Sequence, residues 1–138
     1  MLESQAHDLS VSLIDRLAVV LFRLTTADVE FAARKMELAW PLQAKGGLVR
    51  SLWLGPNHWF LTSDTMTTAV IIECCQEDLG DRDFLAIDYT SAVSVLSIEG
   101  PNSRNVLAAG SGLDFRERGF RGGACHRTQL AGIGATIH

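Results

Sequence analysis

From Leu17 to Leu24 the chain reads Leu-Ala-Val-Val-Leu-Phe-Arg-Leu, a nearly continuous apolar run. Such a run predicts a strand buried on both faces. Residues 1–16 ahead of it mix polar and apolar positions and predict a loose arm or a short helix, leaving 17–138 as the domain. Thr25, followed three residues later by Asp28, is a capping-box variant that starts a helix. Val29, Ala32, Ala33 and Met36 give that helix one apolar stripe, and Pro41 ends it near Trp40.

Gly46-Gly47 opens the next strand, Leu48 to Leu54, and Gly55-Pro56-Asn57-His58 turns the chain back as Trp59-Phe60-Leu61-Thr62. Proline followed by asparagine is good β-turn chemistry, so the two runs predict a hairpin. Ser63 or Asp64 is placed to cap a second helix that runs to Leu79, with Gly80 closing it. Phe84–Tyr89 and Ala92–Ile98 read as two further strands. The second of these stops at Gly100-Pro101 and becomes a short helix ending at Gly110. Proline suits a first helical position because its φ is already set and its missing N–H would be unpaired there. An arginine-bearing loop leads to a last strand from about Cys125.

The predicted order is β-α-β-β-α-β-β-α-β. Strands joined by tight turns cannot all be parallel, so the class is α+β, and the first six elements match the ferredoxin-like split βαβ succession.

At 138 residues the chain is one domain by size and needs no metal or disulfide to hold a core. Its apolar fraction is 47% and its charged fraction only 20%, which leaves little polar surface to cover it and raises a subunit interface as an even alternative to a merely greasy domain. A net charge of −4 without a basic tail argues against nucleic acid as a partner. Three cysteines at 74, 75 and 125 make no disulfide framework and predict a reducing cytoplasm. No uncharged apolar run approaches the ~20 residues of a membrane span.

Candidate chemistry is sparse. Cys74 and Cys75 are adjacent, point about 100° apart on a helix, and read as small core residues. Cys125 and His126 fall on opposite faces of a strand. His7, His58, His126 and His138 make no i, i+4 pair, so no zinc site is indicated. Gly119-Phe120-Arg121-Gly122-Gly123 lacks the strand-to-helix setting of a phosphate loop. Trp53 and Trp59 read as core. The arginines Arg116, Arg118, Arg121 and Arg127 stand out, with Asp114 and Glu117 among them. They are either a solvated, partly neutralised loop or a docking surface, since arginine is enriched at interfaces. From the residues alone, no catalytic, cofactor-binding or metal residue is assigned, and Arg116, Arg118 and Arg121 are candidate subunit contacts.

Four phrases in order carry a resemblance. They are Leu52-Trp53-Leu54-Gly55-Pro56 with Trp59, Ser97-Ile98-Glu99-Gly100-Pro101 with Val106-Leu107, Gly112-Leu113-Asp114, and Arg127-Thr128-Gln129-Leu130-Ala131. Together they resemble the gamma subunit of heterotetrameric sarcosine oxidase over residues 17–137. That family is similar in turn to the folate-binding domains of glycine-cleavage aminomethyltransferases, in which the Gly-Gly strand continues into paired aspartates. Here Arg50 and Ser51 stand at those positions.

The resemblance implies a non-catalytic accessory subunit of a complex that oxidises sarcosine or a related N-methyl amino acid. The partners it implies are the alpha, beta and delta subunits, which carry the FAD, FMN, NAD, tetrahydrofolate and zinc. A stand-alone tetrahydrofolate-binding or one-carbon-transfer protein is the alternative, and a small homodimer a blander one. Family members continue past the Arg-Thr-x-Leu-Ala strand with a hairpin and a helix, so the arrangement is expected to be truncated at its C-terminus, with an open sheet edge.

Overall fold

Val20, Phe22 and Leu24 are spaced two apart, which puts all three on one face of a strand. In the computed structural model, which describes residues 9–138, that strand lies inside the main sheet. In chain order the elements are β1 (Ser10–Ile14), β2 (Ala18–Leu24), α1 (Val29–Lys35), β3 (Ala44–Lys45), β4 (Arg50–Gly55) and β5 (His58–Ser63). There follow α2 (Thr68–Leu79), β6 (Phe84–Asp88), β7 (Val95–Glu99), α3 (Ser103–Gly110), β8 (His126–Leu130) and β9 (Ile133–Ile137). The main sheet has the order β3-β4-β5-β2-β6, β1 pairs with β7, and β8 pairs with β9. All these pairings are antiparallel, as an α+β class requires.

The core sits between one face of the main sheet and the two longer-range helices. Val20, Phe22 and Leu24 meet Trp59 and Leu61 of β5, Ala32 of α1, and Ile71, Cys75 and Leu79 of α2. The last three recur every fourth residue and form the buried stripe of α2. Phe22 bridges two aromatic neighbours, with ring centroids 6.3 Å from Trp59 and 6.0 Å from Phe84. Burying a side chain such as Phe22 or Ile71 contributes about 1.5–3 kcal/mol. On the other face of β2, Leu21 is half-buried and Arg23 exposed. The two-sided burial expected of the Leu17–Leu24 run is therefore only partly met.

Several boundaries differ from the sequence expectation, each for a local reason. Helix α1 ends at Lys35 rather than near Trp40. Glu37 takes a left-handed φ of 53°, and the Leu38 N–H reaches back to the Ala33 carbonyl at 3.1 Å. This is a Schellman ending without glycine, and it lets Leu38 and Ala39 turn into the core. Thr25 does not cap the backbone; its hydroxyl donates to Asp28 Oδ2. Helix α2 starts at Thr68, where Thr67 accepts from the Val70 N–H, while Ser63 Oγ instead accepts from Thr65 and Met66 N–H in the preceding turn. Gly80 closes α2 as expected, with φ of 55°.

Pro101 is not the first helical residue. It occupies the turn Gly100-Pro101-Asn102-Ser103, closed by the Ser103 N–H on the Gly100 carbonyl at 3.1 Å, and α3 begins at Ser103. Gly100 has φ of 119°, which glycine tolerates at least cost. The hairpin β4–β5 turns on Pro56-Asn57 alone, with a bulge between Trp53 and Gly55.

Three strands escaped the sequence reading. Within the segment 1–16, read as an arm or short helix, Ser10–Ile14 is β1, registered on β7 from Ser10 opposite Glu99 to Ile14 opposite Val95. Its side chains are all exposed, so burial left no periodic signature in the sequence. β3 is two residues long. The last strand is followed by β9, across a turn in which Ala131 (φ 51°) and Gly132 (φ 81°) are both left-handed.

Candidate functional site

The strand after Gly46-Gly47 is where the resemblance drawn from the sequence set Arg50 and Ser51 against paired aspartates. Alternation along β4 sends Ser51 to the helix face and Arg50 to the opposite one. Ser51 is 4% exposed. Its hydroxyl accepts the Ala39 N–H at 2.8 Å, while the Trp59 indole donates to the Ala39 carbonyl at 3.0 Å. Both backbone polar groups of buried Ala39 are thereby satisfied by side chains from the neighbouring strands β4 and β5. Arg50 is exposed and forms no ion pair among the described residues.

Beside Ser51 lies a cleft of about 260 Å³ between the end of α1, the Gly46-Gly47 loop and α2. Its polar lining includes Glu37, Asp78, Cys74 and Ser51. Ser51 is already engaged with Ala39, and the two carboxylates of the cleft, Glu37 and Asp78, are accompanied there by no histidine and no cation.

The cysteines separate. Cys75 is in the core, as expected, but its neighbour Cys74 is exposed, correcting the reading that placed both inside. Burial, reinforced by Asp78 and Cys74, pushes the Cys75 thiol up to about 12. Burial likewise pushes Cys125 up to about 11, although its thiol donates to the Trp53 carbonyl. Neither is a thiolate at neutral pH. His126 turns away from Cys125 and packs on the Phe120 ring, with centroids 5.4 Å apart. Among the described residues, no three His, Cys, Asp or Glu side chains gather as a metal site. Among the described residues, no helix is long and apolar enough to cross a membrane. His7 lies outside the described residues.

The arginines of the 111–124 loop are not one cluster. Arg116 clamps Asp114 with two hydrogen bonds, at 2.8 and 3.0 Å, and Arg118 approaches the same carboxylate at 4.0 Å. The hydrogen bonds from Arg116 hold the Asp114 carboxyl down at about 2. Arg121 is exposed on the turn that ends at Ala124. Arg127 lies apart on β8, against His58 of the hairpin.

Sequence reasoning passed over Arg104. On α3 its guanidinium donates to the Phe115 and Phe120 carbonyls, at 2.7 and 2.6 Å, and so shapes the loop from inside. Its only signal in the sequence is a lone cation on a helix facing a loop with buried aromatics.

No family model matches this sequence, and no curated protein matches it. A solved structure does match in three dimensions. It is a chain of the heterotetrameric sarcosine oxidase from Corynebacterium sp. U-96, in complex with pyrrole 2-carboxylate. The TM-score is 0.77 at 23% sequence identity, over 93% of this chain and 68% of that chain. This chain shares the fold of a sarcosine oxidase chain. The resemblance drawn from four short motifs is thus met by a structural likeness that spans almost the whole sequence.

Proposed function

We propose that this chain is a non-catalytic accessory subunit, of the gamma type, in a heterotetrameric flavoenzyme complex of the sarcosine oxidase type. The observation that carries the reading is the fold shared with a chain of such a complex. Fold alone does not specify activity. The non-catalytic part rests on Ser51, whose hydroxyl serves the Ala39 backbone at the position where a folate enzyme would need a carboxylate.

The succession β2-α1-β4-β5-α2-β6, with strand order β4-β5-β2-β6, supports a ferredoxin-like split βαβ core in the manner of the aminomethyltransferase folate-binding domain. On this reading the alpha, beta and delta partners carry FAD, FMN, NAD, tetrahydrofolate and zinc, and the complex demethylates sarcosine oxidatively. Arg116, Arg118 and Arg121, all exposed, are its candidate subunit contacts. Three free cysteines favour a cytoplasmic setting.

Co-expression with the sarcosine oxidase-like chains of the same genome tests this. One co-eluting complex with sarcosine-dependent oxidase activity is expected; a chain that elutes alone in their presence overturns it. Calorimetric titration of the isolated chain with tetrahydrofolate should give no heat of binding, and saturable binding would favour the stand-alone folate protein.

A further inference from the structure

The central sheet has a second face, on which Val19, Thr62 and Leu52 are buried while the β6 side is open. By alternation from the core residues Val20, Phe22 and Leu24, it displays Leu21 and Arg23 of β2. Leu21 pairs with Ile87 and Arg23 with Leu85 on β6, while Arg23 pairs with His58 on β5. Leu85 is 47% and Ile87 45% exposed, beside half-buried Leu21. Phe60 and Tyr89 border this strip in an edge-to-face contact at 5.7 Å.

At one end of the strip three basic side chains converge. His58 is the register partner of Arg23, and Arg127 of β8 approaches His58 Nε2 at 3.5 Å. The ring is held in place by Asn57, whose Oδ1 lies 3.4 Å from Nδ1, and by Gly55, where a Cβ would run into the imidazole. A proton on Nδ1 satisfies both contacts and leaves Nε2 to accept from Arg127. Burial, then Arg23, then Arg127 lower the His58 pKa. Arg34, Arg82, Arg116 and Arg118 each have a carboxylate partner, but Arg23 and Arg127 have none among the described residues. In a chain of net charge −4, two unneutralised guanidiniums acting on one imidazole are a local departure.

We propose that this face, from Leu21, Leu85 and Ile87 to the Arg23–His58–Arg127 cluster, docks an acidic amphipathic segment of another protein. The apolar strip takes the segment's apolar side and the guanidiniums take its carboxylates, the forked geometry in which arginine binds best. The inference deepens the proposed function by naming the surface a partner subunit uses, and it rests on that reading only for which chain supplies the segment.

The test follows side-chain NMR signals of the full chain titrated with two designed amphipathic helical peptides, one Leu/Glu and one Leu/Lys. The Leu/Glu peptide should shift the Leu21, Leu85 and Ile87 methyls and the Arg23 and Arg127 guanidinium signals. R23E/R127E should weaken it by about tenfold or more, and R34E on α1 should not. Both changes are at exposed positions, and an unchanged methyl spectrum verifies the fold. Equal binding of the Leu/Lys peptide, or shifts that map elsewhere, overturns the proposal. Saturation of the guanidiniums by inorganic phosphate, with no methyl response to Leu/Glu peptide, assigns a free-anion site and overturns it too. So does a dimer, seen by light scattering, that protects these methyls. In the co-expressed complex R23E/R127E should be lost from the assembly; failure of the wild-type chain to assemble sinks the proposed function while leaving the peptide result to stand.

Discussion

The Ser51 hydroxyl accepts the backbone N–H of Ala39 at 2.8 Å, across twelve residues of chain. This bond closes the descent from α1 into the sheet. Ser51→Ala leaves a buried amide without an acceptor and should cost about 1–3 kcal/mol in chemical denaturation. Arg50→Ala, on the exposed face of the same strand, should stay within about 0.5 kcal/mol. Equal effects would mean that the hydroxyl is incidental.

Arg104 binds two loop carbonyls at once, on Phe115 and Phe120. Arg104→Met keeps the stem but removes the donors. The loop amides around 115–121 should then lose hydrogen-exchange protection, and global stability should fall by about 1–3 kcal/mol. Protection that stays unchanged would assign the loop's shape to the Phe115–Phe120 contact alone.

The thiols should react in two classes. Cys74 is exposed, whereas Cys75 and Cys125 are buried and raised to about 12 and about 11. At pH 8 a thiol reagent should modify one cysteine in the folded chain and all three in denaturant. Mass spectrometry of the labelled peptides identifies which, and rapid labelling of Cys75 would contradict the placement of α2.

Asp114 is held at about 2 by Arg116, and Asp88 is also lowered, by the Thr90 amide first and then the Thr90 and Thr68 side chains. Both folded values lie below the ordinary aspartate value of about 3.9. The sign follows: their contribution is present above about pH 4 and is lost as pH falls through the folded values. A carboxyl NMR titration should place the Asp114 midpoint near 2 in the wild type, and Arg116→Ala should return it toward about 3.9.

The β8–β9 turn needs two left-handed residues, and only one is glycine. Ala131→Gly relieves a strain of about 1–2 kcal/mol, offset in part by the freer unfolded chain, and should leave the Tm equal or higher. Gly132→Val imposes the same strain on a branched side chain and should lower it.

What the sequence made legible was the core. The two-residue period in Val20, Phe22 and Leu24 and the four-residue period in Ile71, Cys75 and Leu79 follow from burial, and burial writes itself into residue type. β1 is fully exposed and β9 has no fully buried residue, and their strands are held by backbone pairing that any side chain permits. The Ala131-Gly132 turn lacks the asparagine or aspartate that usually announces such a hairpin. The same logic applies to the site. The resemblance set Arg50 and Ser51 where folate-binding domains carry paired aspartates, but the bond to Ala39 was not readable, because it depends on α1 stopping at Lys35 through a glutamate in a glycine-like conformation. The arginine loop was visible as charge, yet the two guanidiniums that face His58, Arg23 and Arg127, belong to two different strands.

The pairing of β1 with β7 also sets an order of events during synthesis. Ser10 meets Glu99 and Ile14 meets Val95, so the first described strand has no mate until most of the chain has left the ribosome. At about 5–20 residues per second, that is several seconds in which the backbone N–H and C=O groups of Ser10–Ile14 lack their strand partner. The main sheet can close earlier, because β6 ends at Asp88. Among the described strands β1 therefore waits longest for its mate, and a chaperone or a nascent partner has its opening there.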